Sequence, residues 1–357
     1  MSQTLRARMH PVFVAGALRV RRPGRRALAF AVSALIAIGV LTGAALARTG
    51  ALVGTGVVVI KTTLAYERAS GAGTGMVLTP SGEILTNNHV IRGATTITIF
   101  VPGTTRTYTA KVVGYDVTDD VAVLQAIGAS NLKTVATARS SKLAVGDAVT
   151  AVGNAGGTGT LTSAKGAITG LQKSVVVSDD QGGTTRLAGL IGANVAVQPG
   201  DSGGPLLNSA GKVIGMDAAG STGYVSRSST ATEAYAIPIG QALSIAKQVE
   251  SGQASTRVHI GKTPFLGVQL ASDIRGGGVS SGGAVVAGVM SGGPAASAGL
   301  AAGDVITAID GHAISSSSSI TSMILTKTPG AKVTIRHTDQ LGASHSTTVT
   351  LGSGPAQ

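Results

Sequence analysis

Short apolar runs, each followed by turn residues, make up most of the chain between about residue 55 and residue 250. Clear runs cover residues 95–101, 121–124, 145–152, 174–177 and 212–216, and clusters of Gly, Asn and Asp separate them. The sequence between these runs lacks helical periodicity. Many short strands without intervening helices predict closed antiparallel β-barrels rather than a parallel sheet.

One helix is predicted at the end of this block, because its apolar positions recur at the i, i+3 and i+4 spacing of a helix face. These positions are Ile239, Ala242, Leu243, Ala246 and Val249. Pro238 precedes the helix and Gly252 follows it, as is usual at helix ends.

A second β-rich unit follows from residue 264 to residue 353. Residues 251–263 are polar, lack apolar periodicity and are interpreted as a linker. The predicted strands of the second unit cover residues 265–270, 284–290, 304–309 and 332–337, and its predicted helices cover residues 294–300 and 319–326. The chain is therefore predicted to be mostly β, with one domain at residues 48–250 and another at residues 264–353.

The N-terminal end has a different pattern, with a basic tail at residues 1–26 and only uncharged residues at 27–47. A helix of this length crosses about 30 Å of hydrocarbon at 1.5 Å per residue. A basic flank before an apolar span predicts a cytoplasmic tail, with all later residues extracytoplasmic. The triplet Ala45-Leu46-Ala47 also fits a cleavage site, so a single-pass anchor in the cell membrane and secretion after cleavage near Ala47 both remain open.

The net charge and the cysteine content exclude several classes of function. Residues 1–47 contain seven Arg and no acidic residue, which leaves +5 of the formal charge of +12 for the rest of the chain. The positive charge therefore lies mainly on the far side of the predicted span, which argues against nucleic-acid binding. The absence of cysteine excludes thiol nucleophiles, disulfides and Cys-ligated zinc. Without a His-Glu-x-x-His motif, neither a metal nor another cofactor is expected.

The candidate nucleophile is Ser202, within the string Pro-Gly-Asp-Ser-Gly-Gly-Pro-Leu at residues 199–206. A serine hydroxyl is a weak nucleophile and needs backbone N–H groups aimed at the oxyanion that it creates. Gly200 can adopt the backbone angles that let its N–H and that of Ser202 converge, while Gly203 and Gly204 keep side chains away. The alternative is an ordinary turn that joins two strands.

The candidate base is His89, because it is the only histidine between residues 55 and 255. A predicted hairpin through residues 80–82 delivers it to the end of a strand. Among the nearby carboxylates Asp116, Asp119 and Asp120, we favour Asp120, because it directly precedes the apolar run 121–124 and can point inward. The order His, Asp, Ser is that of the two-barrel serine proteases.

With these residues the sequence resembles the HtrA (Deg) family of trypsin-like proteases that carry a PDZ domain. The matching strings lie at residues 86–90, 114–116, 120–124, 153–154, 200–206 and 235–238. The resemblance implies a double six-stranded β-barrel with the active site between the barrels. It also implies that His89 is the general base, that Asp120 orients it, that Ser202 is the nucleophile, and that the Gly200 and Ser202 amides form the oxyanion hole.

The sequence departs from the family pattern at two places. Asp201 stands where many members carry Asn, and we expect local hydrogen bonds to hold it. Residues 48–60 contain no aromatic residue, although family trimers use aromatic contacts in this region. The sequence therefore leaves open whether the chain forms a homo-oligomer.

In this fold, the residues just before the serine and the strand after it form the wall of the pocket for the residue preceding the scissile bond. Here they are Val195, Ala196, Val197, Ile214, Gly215 and Met216. A small apolar pocket that accepts Val, Ala, Ile or Leu is predicted, with Asp217 as the nearest charge.

The second unit resembles a PDZ domain. Residues Phe265, Leu266, Gly267 and Val268 look like the loop whose N–H groups bind a peptide carboxylate, and Ile320, together with Met323 or Ile324, would line the groove. The alternative is that Phe265 and Leu266 are simply core residues. The resemblance implies apolar C-terminal peptides as ligands.

The predicted function is an extracytoplasmic serine endopeptidase that acts in protein quality control on exposed or misfolded polypeptides. Its predicted partners are polypeptide substrates, C-terminal peptides at the PDZ domain and the membrane through the N-terminal helix. A catalytically silent PDZ scaffold or chaperone is the alternative.

Overall fold

The computed structural model describes residues 54–356, apart from residues 65–68, 139–141, 179–183, 221–232 and 272–282. The predicted basic tail and the predicted span at residues 27–47 lie outside the described residues. Within the described part of the chain, no helix is both long enough and apolar enough to cross a membrane.

The first six strands form a closed barrel, called barrel 1 here. They are β1 (Val57–Leu64), β2 (Ala69–Val77), β3 (Glu83–Thr86), β4 (Thr96–Phe100), β5 (Thr107–Asp116) and β6 (Val121–Ala126), with the short helix α1 (Asn88–Ile91) after β3. The sheet order is β5-β4-β1-β2-β3-β6, and β5 also pairs with β6, which closes the ring. β2 and β3 form the predicted hairpin, with Met76 opposite Leu85. Aliphatic side chains such as Ile60, Ile84 and Leu124 fill the interior.

The next six strands form a second closed barrel, barrel 2. They are β7 (Ala148–Gly153), β8 (Thr162–Ser178), β9 (Thr184–Ala193), β10 (Pro205–Asn208), β11 (Val213–Gly220) and β12 (Ala234–Pro238), and a single 3₁₀ turn at Ala155–Gly157 follows β7. The ring order is β10-β11-β12-β9-β8-β7. Its core contains Val149, Ile168, Ile191 and Ile214. The prediction of closed antiparallel barrels is confirmed.

Helix α2 (Ile239–Glu250) follows β12, as the apolar spacing predicted. Its buried side chains include Ala242 and Ala246, and they belong to one core cluster with Met76 of barrel 1 and Met216 of barrel 2. The helix therefore packs against both barrels. Because it contacts two apolar cores, a stripe of small and medium-sized apolar side chains is enough to bury one of its faces.

The segment predicted as a linker is in part a strand. Strand β13 (Val258–Ile260) pairs antiparallel with β5, with His259 opposite Tyr115, and extends the sheet of barrel 1. Val258 is buried, and Arg257 forms ion pairs with Asp119 and Asp116. One buried apolar residue gives no periodicity, so the sequence pattern could not indicate this strand.

The C-terminal unit is a smaller, mostly antiparallel domain. Its elements are β14 (Thr263–Phe265), β15 (Val268–Leu270), β16 (Ala284–Val289), α3 (Pro294–Ser297), β17 (Val305–Ile309), β18 (His312–Ala313), α4 (Ser317–Leu325), β19 (Lys332–Thr338), β20 (Ser344–Thr350) and β21 (Gly352–Gly354). The main sheet has the order β15-β16-β17-β19-β20, while β14 pairs with β21. The predicted strand 265–270 is broken into β14 and β15, because Gly267 has a φ of +79°.

The C-terminal unit contacts barrel 1 directly. The Tyr115 hydroxyl lies 3.2 Å from Thr263 Oγ1, and the N–H of Gly93 donates to the carbonyl of Ala356 at 2.9 Å. Ala356 is buried with the core residues of barrel 1. The segment that follows the last long strand is therefore packed against the barrel that carries His89.

Candidate active site

His89 and Asp120 are brought together at one end of barrel 1. His89 lies on α1, directly after β3, while Asp120 precedes β6 and has a φ of +54°. The Nδ1 atom of His89 lies 2.8 Å from Asp120 Oδ2, and the backbone N–H of His89 donates to Asp120 Oδ1 at 2.9 Å. The side-chain amide of Asn87 donates to the Asp120 carbonyl at 2.9 Å. Both carboxylate oxygens thus contact His89, which fixes the position and the tautomer of the imidazole.

The other two carboxylates of this cluster have a different role. Asp116 Oδ1 accepts the N–H groups of Thr118 and Asp119 at 2.8 and 2.9 Å, so it closes the turn before β6. Burial raises the pKa of Asp116, while Arg257 and the two N–H donors oppose that rise. Asp119 and Asp116 both pair with Arg257. Of the three candidate carboxylates, Asp120 is the one whose oxygens lie within hydrogen-bond distance of His89.

Ser202 lies in the loop between β9 and β10, and the glycines around it are required by sterics. Gly200 and Gly203 have φ angles of +98° and +84°, which L side chains rarely adopt. A Cβ on Gly200 would meet the carbonyl of Asn154, and one on Gly203 would meet the carbonyl of Thr74. The loop therefore passes too close to neighbouring backbone for any larger residue.

Six of the nine polar backbone groups of residues 199–203 form hydrogen bonds within the described part of the chain. Their carbonyls accept hydrogen bonds at 2.7–2.9 Å, from Gly156 N–H to Pro199, from Thr74 Oγ1 to Gly200, from Gly204 N–H to Asp201 and from Thr74 N–H to Ser202. Two N–H groups are also used, since Asp201 donates to Gln198 and Gly203 donates to Asp217. The N–H groups of Gly200 and Ser202 donate to none of the residues that the structure describes.

These two N–H groups are the predicted oxyanion donors. The carbonyl and the N–H of a trans peptide point in opposite directions. Because Gly156 holds the carbonyl of Pro199 on one side, the N–H of Gly200 faces the other side. Gly200 and Ser202 are partly exposed, so their N–H groups are accessible to an oxyanion of a substrate, as the predicted role requires.

Two buried carboxyl groups, those of Asp201 and Asp217, lie close to Ser202, the predicted nucleophile. Asp201 Oδ2 accepts the N–H of Gln198 at 2.9 Å, as expected for a residue held by local hydrogen bonds. Asp201 Oδ1 and Asp217 Oδ2 have no hydrogen-bond partner within the described part of the chain. Burial raises the pKa of Asp201, and burial together with the charge of Asp201 raises the pKa of Asp217 well above its usual range. Both groups therefore hold their protons more tightly than a free aspartate.

The residues of the predicted substrate pocket are mostly buried. Val195, Val197, Ile214 and Met216 belong to the barrel cores, whereas Ala196 is exposed. Asp217 is 1% exposed. Residues 221–232, which follow β11, lie outside the described residues. The apolar pocket stays a prediction.

The predicted peptide groove of the C-terminal unit is a cavity between β15 and α4. Its lining includes Phe265, Leu266, Gly267, Val268, Ile320 and Ile324. In the described residues, the N–H groups of Leu266 and Gly267 have no acceptor. Leu266 is also buried in the core, so the two readings of this residue are compatible. Met323, the other groove candidate, packs against the same core.

Sequence reasoning gave no role to Thr74, Asn154 or Gly156, although all three contact the nucleophile loop or each other. Asn154 lies in the matching string at residues 153–154, whereas Thr74 lies outside all of the matching strings. Their hydrogen bonds join positions 80 to 126 residues apart, which no local pattern reports.

Known families and proteins match both units of the chain. The trypsin-like peptidase domain family matches residues 73–216, and the PDZ domain family matches residues 264–339. The serine protease PepD of Mycobacterium tuberculosis is 34% identical over 313 residues, which cover 83% of this chain and 63% of that protein. The periplasmic pH-dependent serine endoprotease DegQ of Escherichia coli is 34% identical, over 74% of this chain and 55% of that protein.

A solved structure described as the HtrA-type protease AlgW with tripeptide is 30% identical. It covers 86% of this chain and 98% of that one, with a TM-score of 0.48. The chain spans about three fifths of the length of the curated relatives that it matches.

Proposed function

Because the chain belongs to the HtrA family of trypsin-like serine proteases with a PDZ domain, we propose that it is a serine endopeptidase. The observation that carries this proposal is the contact of both Asp120 oxygens with His89, in a fold whose nucleophile loop leaves two N–H groups without an acceptor among the described residues. A scaffold that had lost catalysis would have no need for either arrangement.

The proposed reaction begins with the hydroxyl of Ser202. Asp120 holds the proton of the imidazole on Nδ1, so Nε2 of His89 accepts the Ser202 proton while Oγ attacks the peptide carbonyl. The N–H groups of Gly200 and Ser202 then stabilise the tetrahedral oxyanion. His89 returns the proton to the departing amine, which leaves an acyl-enzyme. Water, deprotonated by the same histidine, releases the acid and restores the serine.

The substrates proposed are extracytoplasmic polypeptides with exposed chain segments. Several relatives are named as periplasmic proteases, which supports a location outside the cytoplasm. Anchoring through residues 27–47, or release after cleavage near Ala47, and assembly into a homo-oligomer stay predictions.

The test of the activity compares the full chain with Ser202→Ala. We expect the wild type to cleave casein and to be labelled by a fluorophosphonate probe, and the variant to do neither. Labelling that persists in Ser202→Ala would assign the nucleophile to another residue. A wild type that is neither labelled nor active, even with apolar C-terminal peptides added, would favour the scaffold.

The pocket prediction is tested with a peptide library. Cleavage after Val, Ala, Ile and Leu is expected, since residues 195–197 and 214–216 are uncharged and Asp217, which follows them in the sequence, is buried. Comparable cleavage after Arg would refute the apolar pocket.

We further propose that the C-terminal unit binds apolar C-termini at the Leu266–Gly267 loop. A fluorescent peptide that ends in Val should bind, and the same peptide with an amidated C-terminus should bind at least tenfold more weakly. Ile324→Glu, which places a negative charge in the cavity, should weaken both the binding and its dependence on the free carboxylate, because the two carboxylates repel each other. Equal binding of the two peptides would show that the loop N–H groups do not hold the carboxylate.

A further inference from the structure

Thr74 on β2 uses every polar group that it has. It is fully buried, and its hydroxyl donates to the carbonyl of Gly200 at 2.7 Å and accepts the N–H of Asn154 at 2.9 Å. Its own N–H donates to the carbonyl of Ser202 at 2.9 Å, and its carbonyl accepts the hydroxyl of Thr86 at 2.7 Å. One residue of barrel 1 therefore holds both ends of the nucleophile segment of barrel 2.

The same hydroxyl also reaches the opposite side of the loop. Asn154 opens the 3₁₀ turn after β7, and its carbonyl accepts the N–H of Gly157 at 2.8 Å. Within that turn, the N–H of Gly156 holds the carbonyl of Pro199 at 2.8 Å. The hydrogen bond from Gly156 to Pro199 orients the Gly200 N–H, and Thr74 itself holds the carbonyls of Gly200 and Ser202. Through its bond to Asn154, Thr74 connects these two sets of hydrogen bonds.

We propose that the Thr74 hydroxyl is the positioning group that sets the oxyanion hole, an inference that rests on the proposed protease function. A single hydroxyl gives one donor and accepts another, so it satisfies the Gly200 carbonyl and the Asn154 N–H at once. Removing it leaves both groups without this partner, and the Asn154 N–H is buried, so the segment must shift to satisfy them. The N–H groups of Gly200 and Ser202 then move away from the oxyanion.

The test compares Thr74→Val with Thr74→Ser in the full chain. Loss of an oxyanion donor itself lowers kcat roughly 10²- to 10³-fold. Because Thr74 acts through the donors, we expect Thr74→Val to lower kcat roughly 10- to 100-fold, with KM changed less than about threefold. Fluorophosphonate labelling, which also places an oxygen in the hole, should slow in parallel. Thr74→Ser keeps the hydroxyl and should stay within about threefold of wild type.

Thr62→Val is the matched control. Thr62 lies on β1 of the same barrel and is buried, and its hydroxyl has no hydrogen-bond partner among the described residues. The same substitution there should leave kcat unchanged. A purely structural role for Thr74 would instead reduce the number of titratable sites while kcat per site stayed normal.

Several results would overturn the inference. A folded Thr74→Val protein with kcat within twofold of wild type would do so, as would a Thr74→Ser protein as impaired as Thr74→Val. If Thr74→Val does not fold, Thr74→Ser decides: near-normal kcat supports the hydroxyl role and a large loss refutes it. These outcomes concern Thr74 alone. An inactive wild type, or labelling that survives Ser202→Ala, refutes the proposed function and this inference with it.

Discussion

Asp120→Asn removes a charge from the proposed active site while keeping the shape of the side chain. In the wild type, Oδ1 faces the backbone N–H of His89 at 2.9 Å and Oδ2 faces Nδ1 at 2.8 Å. An amide has one acceptor and one donor, so it can satisfy only one of these positions in the productive tautomer. The backbone N–H is always a donor, and it therefore selects the orientation with the amide oxygen at the Oδ1 position.

In that orientation the NH₂ group of the asparagine faces Nδ1 of His89. Nδ1 must then accept, so the imidazole proton sits on Nε2, where it cannot take the proton of Ser202. The productive tautomer requires a flipped amide, which sets the NH₂ against the His89 N–H. Two donors then lack an acceptor at a carboxyl position that is 10% exposed. At about 1–3 kcal/mol for each, the flip costs about 2–6 kcal/mol, or roughly 30- to 25,000-fold in kcat.

The assay measures kcat with a chromogenic peptide, together with the rate of fluorophosphonate labelling. Asp119→Asn is the matched control, because its carboxylate pairs with Arg257 at the neighbouring position and should leave kcat within about twofold. An Asp120→Asn protein that keeps more than a fifth of wild-type kcat would refute the tautomer argument.

Three further predictions concern stability. Burial and a hydrogen bond to Glu250 raise the pKa of Glu83 from the usual 4.5 to about 7. The folded protein then binds this proton more tightly than the unfolded chain, so the free energy of unfolding should fall as the pH rises from 4.5 to 7. Glu83→Gln should flatten this fall in urea titrations. The pKa of Asp217 is raised by burial and by a neighbouring carboxylate, so Asp217→Asn should melt higher than wild type at pH 8, and a lower melting temperature would contradict this. Tyr115→Phe removes the contact with Thr263 and should cost about 1 kcal/mol in urea unfolding, an unchanged midpoint arguing against it.

Much of the fold could be predicted because its elements follow local patterns. The helix at residues 239–250 has the spacing and flanking residues of an amphipathic helix, and the strands at 284–289 and 332–338 lie within one residue of their predicted ends. β8 was predicted only at residues 174–177 although it covers Thr162–Ser178, because glycines interrupt its apolar run. β13 was missed, since its only buried apolar residue is Val258.

Asp120 could be selected before any coordinates, because it directly precedes a buried strand whereas Asp116 and Asp119 lie in a turn. The three carboxylates have different partners because the backbone geometry at each position differs. Asp116 Oδ1 accepts two N–H groups of its own turn, which occupies its carboxylate locally. Asp120 has a left-handed φ, and this turns its side chain toward His89. The position of Asp120 in the sequence was informative, because a side chain at the start of a strand and a side chain in a turn point in different directions.

The support of the proposed oxyanion hole by Thr74 could not be predicted in the same way. Thr74 and Gly200 are separated by 126 residues and meet only after both barrels have closed. The one local signal is a polar residue between two glycines at the start of an apolar run, where a Cβ on Gly73 would meet Val90 and one on Gly75 would meet Ile84. Glycines that permit such close approach mark a strand that other elements pack against tightly. A polar side chain fixed in that position must find its partners across the barrel interface, and here these partners are the carbonyl of Gly200 and the N–H of Asn154.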